Sequence, residues 1–408
     1  MKITTVKGTN DYLPSEARLR DYMQTQILNT YTDAGFERIM TPAVEDIENL
    51  DKSDGGDNLN LIFKILKRGD KLNKALASGG EKDLSDMGLR YDLTLPLSRY
   101  YANNRSELVL PAKCIQIDKV YRAERPQKGR LREFVQCDID IIGSSSESCE
   151  IELIHTTAKA LLALGIDDFT VIINDRRILN VLLMNAGFKE EQLPSVCITF
   201  DKLDKIGADG VKAELTDKGF DETAIERLVE IISKPLTLDT VKELCGEHTE
   251  KLDAVIQSTR ELAQGRYGIA FDISLVRGQG YYTGIVFEIV SKNFRGSIAG
   301  GGRYDNLIGK FTGENIPAVG FSIGFERIFA LLTESGYKIP DTKSRIALLY
   351  DKEDTVKAIC EAEKLRAEYD VVIFEKPKKL SKFLDKIQSK GYYGFCFLGE
   401  EIRELKNC

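Results

Sequence analysis

Val120-Tyr121-Arg122-Ala123-Glu124-Arg125-Pro126-Gln127-Lys128-Gly129-Arg130-Leu131-Arg132-Glu133-Phe134-Val135-Gln136-Cys137-Asp138-Ile139-Asp140-Ile141 joins a basic segment to an alternating one. Its second half alternates. Val135, Cys137, Ile139 and Ile141 fall on one face of an extended chain, and Phe134, Gln136, Asp138 and Asp140 on the other, by the two-residue period of a strand. Residues about 111–142 therefore read as two strands joined by a charged loop. The polar face suits either a solvated sheet surface or the floor of a site. Lys119, Arg122, Arg125, Lys128, Arg130 and Arg132 cluster around the turn, offset only by Asp118, Glu124 and Glu133. Cations this dense repel one another unless an anion sits among them, which points to polyphosphate; a plain solvated loop is the other reading.

Upstream, Leu19, Met23, Ile27 and Tyr31 recur every four residues after Pro14, and Gly35 suits the left-handed residue that closes a helix. Phe36 to Glu45 reads as a strand interrupted by Pro42, which cannot donate to a ladder and so belongs at an edge or bulge. Such an edge suits a subunit contact or an ordinary surface. Downstream, residues 186–262 are rich in Lys, Glu and Asp with short helical patterns, and read as a helical insertion between two parts of one sheet domain. Strand character returns from Phe271, with Ile285, Phe287 and Ile289 alternating against Val286 and Glu288. Ala318–Ile323 is expected as a strand running into a helix. Residues 345–408 alternate strand and helix, implying parallel strands and a small α/β domain after a linker near Pro340.

Composition bounds the function. The chain has 408 residues, too many for one ordinary core, with 42% hydrophobic and 30% charged residues, a globular balance. Its apolar runs fall far short of the ~18 residues of a membrane span, and Met1–Lys7 lacks the apolar core of a secretory signal. A net charge of −7 argues against a protein that coats itself in nucleic acid, though not against a local basic patch. None of the eight cysteines forms a CxxC pair and there are only two histidines, His155 and His248, so zinc is poorly supported and reduced cytoplasmic thiols are expected.

Three stretches together resemble the class II aminoacyl-tRNA synthetases, and among them the histidyl-tRNA synthetases. The opening stretch is similar to the second class-defining motif. Leu275-Val276-Arg277-Gly278-Gln279-Gly280-Tyr281-Tyr282-Thr283-Gly284 resembles the histidine-specific signature. Gly301-Gly302-Arg303-Tyr304-Asp305 and Gly320-Phe321-Ser322-Ile323-Gly324-Phe325-Glu326-Arg327 resemble the second histidine signature and the third class motif. Lys7-Gly8-Thr9-Asn10-Asp11 and Leu89-Arg90-Tyr91-Asp92-Leu93-Thr94 also match, so the resemblance spans roughly residues 1–335.

The resemblance implies an α+β fold: a six- or seven-stranded antiparallel sheet flanked by helices. The catalytic domain would occupy 1–185 and 263–335, the helical insertion 186–262, and a truncated anticodon-binding-like domain 345–408. It implies a homodimer through the Pro42 region. It also implies a ligase of protein biosynthesis: histidine and ATP give histidyl-adenylate, and the histidyl group passes to the 3′-end of tRNA-His. ATP would be a substrate, accompanied by Mg2+, with no zinc. Catalysis would rest on Arg277 and Arg122. ATP would be bound by Arg122, Glu124, Arg130, Phe134 and Arg327. Histidine would be bound by Asp92, Thr94, Gln136, Asp140, Arg277, Tyr281, Tyr282 and Tyr304, with cross-strand packing the alternative for Tyr281 and Tyr282.

Three features depart from the family pattern. Gln279-Gly280 replaces the usual Leu-Asp. Asp92 and Asp140 are a methylene shorter than the Glu of many bacterial members. The chain ends soon after Gly399-Glu400-Glu401, where relatives continue. That end favours a second reading, a regulatory subunit of the ATP phosphoribosyltransferase type that binds histidine without charging tRNA. Retention of Arg122, Arg277, Arg327 and Glu124 favours the ligase, because a sensor has no use for γ-phosphate ligands. Lys376, Lys378, Lys379, Lys382, Lys386 and Lys390 suit either phosphate or plain solvation.

Overall fold

The computed structural model describes residues 3–52, 61–79, 84–125, 131–200, 202–233, 236–276, 281–294 and 296–405. The chain divides into two compact units, Met1–Tyr337 and Lys338–Cys408.

In the first unit, the helix Pro14–Asp33 buries Leu19, Met23, Ile27 and Tyr31 as one stripe, and Gly35 follows it at φ +80°. Next come β1 (Glu37–Arg38), β2 (Val44–Asp46), β3 (Phe63–Leu66) and β4 (Ser85–Leu89), then the helix Thr94–Asn104. The long hairpin is β5 (Ala112–Tyr121) and β6 (Glu133–Ile142). After the helix Ser148–Ala163 and β7 (Phe169–Asp175), a run of helices extends from Arg176 to Ala263. The remaining strands are β8 (Gly268–Phe271), β9 (Ile285–Ser291), β10 (Ser297–Arg303) and β11 (Ala318–Gly324), followed by the helix Phe325–Glu334.

Eight of these strands form one sheet in the order β1-β5-β6-β11-β10-β9-β7-β8. Its six central strands are antiparallel; the edge strands β1 and β8 join in parallel, so the sheet is one strand wider than expected and mixed at its margins. Helices 14–33, 148–163 and 325–334 cover one face, over the buried Cys137, Ile139 and Ile323. The alternation in β6 thus separates a dry face from a polar one.

The segment from Phe36 to Glu45 is not one strand. It splits at Pro42 into β1, in the large sheet, and β2, in a small sheet of order β2-β4-β3. The cause is visible at Arg90, which is 1% exposed. Its guanidinium donates to the carbonyls of Thr41 at 2.7 Å and Pro42 at 3.4 Å, and it pairs with Asp118 at 2.8 Å. The carbonyls that a continuous strand would use are turned to a buried cation instead.

In the second unit, β12 (Arg345–Tyr350), β13 (Asp370–Glu375), β14 (Gly394–Phe397) and β15 (Arg403–Glu404) form a sheet of order β13-β12-β14-β15. Strand β12 pairs in parallel with β13 and β14. Ile346 and Leu348 pack on one side with Ala358 and Ala362; Ala347 and Leu349 pack on the other with Ile387. Both faces are covered, which is why β12 reads as an unbroken apolar run.

Among the described residues, no helix is long and apolar enough to cross a membrane, and the cysteines are free thiols, buried except Cys360.

Candidate functional site

The polar face of the large sheet is the floor of a cavity of about 870 Å³. Residues directly opposite one another on paired strands share a face. One such row runs Gln116–Asp138–Ser322–Gly300–Glu288–Ile172 across six strands. Five of these residues, from Asp138 to Ile172, line the cavity. The next row runs Cys114–Asp140–Gly320–Gly302–Val286–Asn174. The glycines of β10 therefore lie within a strand, not in a turn. A Cβ on Gly301 would meet the Gly320 carbonyl oxygen at 2.0 Å, so this part of the sheet is built for residues without side chains.

Asp92, Thr94, Arg122, Glu124, Phe134, Gln136, Asp140, Tyr281, Tyr282, Tyr304 and Arg327 all line this one cavity. They come from five separate stretches of sequence. Arg130 and Arg277, also expected at the site, lie outside the described residues, as do Gln279 and Gly280.

Arg122 and Arg327 are both held by the protein itself. Arg122 donates from Nε to the Tyr91 carbonyl at 3.0 Å and from Nη2 to Gln136 Oε1 at 3.3 Å, with its guanidinium carbon 5.0 Å from the centre of the Phe134 ring. Arg327, in the first turn of its helix, donates from Nη1 to the Ser297 carbonyl and to Ser297 Oγ. Its neighbour Glu326 accepts two bonds from Arg20, at 2.6 and 2.8 Å, and one from the Val135 amide at 3.2 Å. Arg20 in turn packs over Tyr12, Phe325 and Phe329. Thus the N-terminal helix braces the helix that carries Arg327.

Acids and tyrosines form the rest of the described constellation. Tyr304 donates its hydroxyl to Asp140 Oδ1 at 2.5 Å. Tyr281 packs against Tyr282 with ring centres 4.8 Å apart and edge-on to Tyr304 at 6.0 Å. All three rings belong to a buried core cluster, so packing and cavity lining coincide here. Asp92 Oδ1 accepts the Leu95 amide at the start of a helix, and Gln116 holds the intervening segment through the Leu93 carbonyl at 2.9 Å.

Asp92, Asp138 and Asp140 are each no more than 4% exposed. Burial raises Asp92 to about 6 against the pull of the Leu95 amide and Arg122. Burial, with Asp92 adding repulsion, raises Asp138 to about 7 against the bond from Ser322. Asp140 is pushed well above the ordinary range by burial and then by Asp138. Three carboxyl groups that burial and mutual repulsion keep from ionising fully make a receptor for positive charge. An ammonium or imidazolium group entering here relieves that strain. The cavity thus gathers cations and buried acids together, with Arg122 close enough to act on both Asp92 and Asp138.

Asp138, Ser322, Glu288 and Asp272 line the cavity without having been assigned a role from sequence. The alternation in β6 put Asp138 on the right face, but only the registers of β11 and β9 reveal Ser322 and Glu288, and Asp272 enters just after β8. Arg303 goes the other way. It sits within a motif, yet it pairs with Glu150 through two bonds at 2.6 and 2.7 Å, is not among the cavity lining, and is structural.

The family model described as histidyl-tRNA synthetase matches residues 8–328. A histidine–tRNA ligase of Leifsonia xyli is 41% identical over 413 residues, covering 97% of this chain and 95% of that protein. The crystal structure of histidyl-tRNA synthetase from Nostoc superposes with a TM-score of 0.79 at 28% identity, covering 97% of this chain and 91% of the other. A Bacillus halodurans protein described as an ATP phosphoribosyltransferase regulatory subunit/histidyl-tRNA synthetase also reaches 0.79, at 22% identity and covering 98% and 100%, and so shares the fold.

Proposed function

This chain belongs to the histidyl-tRNA synthetase family, and from that premise we propose how its residues divide the work of a histidine–tRNA ligase. The enzyme activates histidine with ATP and passes the histidyl group to tRNA-His. The observation that supports the assignment of residues is a single cavity over one sheet face that gathers Arg122 and Arg327 with the buried Asp92, Asp138 and Asp140.

In the first step the histidine carboxylate attacks the α-phosphorus of ATP; a P–O bond forms and pyrophosphate leaves. Negative charge grows on the phosphoryl oxygens, so cations fixed beforehand lower the barrier. Arg122 meets the α-phosphate, and its tether to the Tyr91 carbonyl keeps it from following solvent. Arg327 takes the γ-phosphate, while Phe134 and Glu124 hold the adenine. Arg277 bridges the histidine carboxylate and α-phosphate, and Arg130 reaches the β- and γ-phosphates. Arginine suits these posts because its fork stays charged and grips two oxygens at once.

Histidine is selected among the acids and tyrosines. Asp140, oriented by the Tyr304 hydroxyl, accepts from one ring nitrogen, and Tyr282 meets the other, with Tyr281 closing the wall. Asp92, Thr94 and Gln136 take the α-ammonium. A site built to hydrogen-bond its substrate rejects analogues lacking those groups by ~10⁴-fold, so editing is not required. In the second step the terminal ribose hydroxyl of tRNA-His attacks the carbonyl carbon, and AMP leaves.

Magnesium enters this reading with the phosphates of ATP. Among the described residues, no group of three or more His, Cys, Asp or Glu is arranged to hold a metal ion. Zinc stays outside the reading on the spacing of the cysteines. A homodimer through the Pro42 region is supported by the apolar surface of Met40, Val44 and Met87, exposed beside the bend that Arg90 fixes. We assign the helices within 186–262 to an insertion of the catalytic domain and the α/β unit at 345–408 to anticodon binding, with a cytoplasmic location.

Histidine-dependent exchange between ATP and pyrophosphate, run beside charging of tRNA-His, tests the reading. Both activities are expected. Arg277→Ala should slow adenylate formation severely while leaving histidine affinity within about tenfold; each tenfold in rate is about 1.4 kcal/mol of barrier. Absence of exchange from pure, folded protein would instead favour the regulatory subunit.

A further inference from the structure

Asp138 stands in the sheet row that floors the cavity, and beyond its share in the acidic cluster it has no individual role in the reaction proposed above. Its carboxylate accepts from Gln136 Nε2 at 3.3 and 3.4 Å, and the same nitrogen lies 3.1 Å from Ser322 Oγ. At the other end of the amide, Arg122 Nη2 donates to Oε1. A glutamine amide has nearly the same shape in its two orientations but opposite polarity at its two ends. With Asp138 ionised on one side and a guanidinium on the other, a single orientation satisfies every group. The flipped amide would set oxygen against carboxylate and N–H against guanidinium. In the favoured orientation the carbonyl oxygen keeps a second lone pair on the Arg122 side.

We propose that Asp138 is a positioning residue for substrate selection, locking the Gln136 amide so that its carbonyl oxygen receives the α-ammonium of the amino acid. This rests on the reading of Gln136 as an ammonium ligand. It explains why an amide, which could as easily present a donor, serves as an acceptor here. It also assigns Ser322 a share of the task, since its hydroxyl faces Asp138 across β6 and β11 and accepts from the same nitrogen.

Two ligands separate this role from a general structural one: L-histidine, and 3-(imidazol-4-yl)propanoate, which lacks the amine. Their affinities are measured by calorimetry on wild type, Asp138→Asn, Ser322→Ala, Gln136→Ala and the Asp138→Asn/Gln136→Ala double variant. Asparagine keeps the shape of Asp138 but offers both a donor and an acceptor, so it no longer dictates the amide's orientation. Histidine affinity should fall about tenfold to a hundredfold in Asp138→Asn, with the propanoate unchanged within about twofold. Ser322→Ala should move in the same direction by a smaller factor, and it carries the test should Asp138→Asn not fold. In the Gln136→Ala background, Asp138→Asn should cost histidine nothing further. Equal losses for both ligands, or full additivity with Gln136→Ala, overturn the proposal. A wild-type protein that holds both ligands equally overturns the reading of Gln136 itself, and the proposal with it.

Discussion

The Asp140 carboxylate occupies the space that a side chain at position 320 would need. A Cβ built on Gly320 comes 2.0 Å from Asp140 Oδ1 and 3.3 Å from Tyr304 Cε1. The two residues are register partners on β6 and β11, so the acid leans across its neighbour rather than standing clear of the sheet. Gly320→Ala must therefore turn the carboxylate away from Tyr304 or spread the strands. Histidine activation, measured as kcat/KM in pyrophosphate exchange, should fall about a hundredfold or more, roughly 2.7 kcal/mol of transition-state stabilisation. Stability should fall by about 1–3 kcal/mol from overpacking, read by denaturant melts. A folded Gly320→Ala protein with normal kcat/KM for histidine would remove Asp140 from substrate recognition.

The raised acids predict how the ligand-free protein responds to pH. A carboxyl whose folded pKa lies above its unfolded value, near 3.9 for Asp, holds its proton more tightly when folded. Its contribution to stability is complete below the unfolded value and is lost as pH rises through the folded one. For Asp92 and Asp138 that window runs from about 4 up to about 6 and 7. His155 opposes them, since burial lowers its pKa and protonating it costs stability as pH falls. The acids outnumber it, so the melting temperature should rise between pH 8 and pH 5.5. Asp138→Asn should melt higher than wild type at pH 8 and show a shallower slope. Parallel pH profiles for the two proteins would show that Asp138 ionises normally in the folded state.

Glu150 and Arg303 form a buried pair far apart in sequence, at 1% and 7% side-chain exposure. Arg303 also donates to the carbonyls of Ser144 and Ser146, at 3.0 and 3.3 Å. Removing the acid leaves the buried guanidinium with only its longer contact to Asp305, 3.3 Å, as counter-charge, which costs about 3 kcal/mol. Glu150→Ala should lose that amount in urea melts. In the fraction that stays folded, KM for ATP should not change, because neither residue lines the cavity. A raised KM for ATP at unchanged stability would give the pair a part in nucleotide binding.

Much of this architecture was legible in the sequence where one strand or helix carried the signal alone. The two-residue period of β6 placed Phe134, Gln136, Asp138 and Asp140 together without reference to any partner. The four-residue spacing of Leu19, Met23, Ile27 and Tyr31 did the same for the first helix. What was not legible depended on pairing between distant segments. Ser322 and Glu288 reach the cavity floor only because β11 and β9 pair in a particular register, and a slip of one residue would turn both to the other face. The split at Pro42 was hidden for a similar reason. Its cause, the Arg90 guanidinium, comes from the far side of β4, and no local pattern near residue 42 announces it. Arg303 was misleading as a motif member for the opposite reason: its partner Glu150 lies in a helix with no visible link to the motif.

Arg20 provides a test of how Arg327 is held, because it reaches the helix of Arg327 through Glu326 and the rings of Phe325 and Phe329. Glu326 receives two bonds from Arg20, one from the Tyr12 hydroxyl at 3.3 Å and one from the Val135 amide. It thereby ties the first turn of the helix 325–334 to the start of β6, beside Phe134. Arg20→Gln removes the charge and the forked geometry, leaving a half-buried carboxylate short of its strongest donors. The helix start should then loosen, and Arg327 with it, while Asp92 and Asp140 stay as they were. KM for ATP should rise several-fold to tenfold in pyrophosphate exchange, with KM for histidine unchanged and stability lower by about 1–3 kcal/mol. An equal rise in both KM values would mean that Arg20 supports the whole sheet rather than Arg327. No change in KM for ATP, in a protein destabilised as expected, would mean that Arg327 keeps its place without the brace.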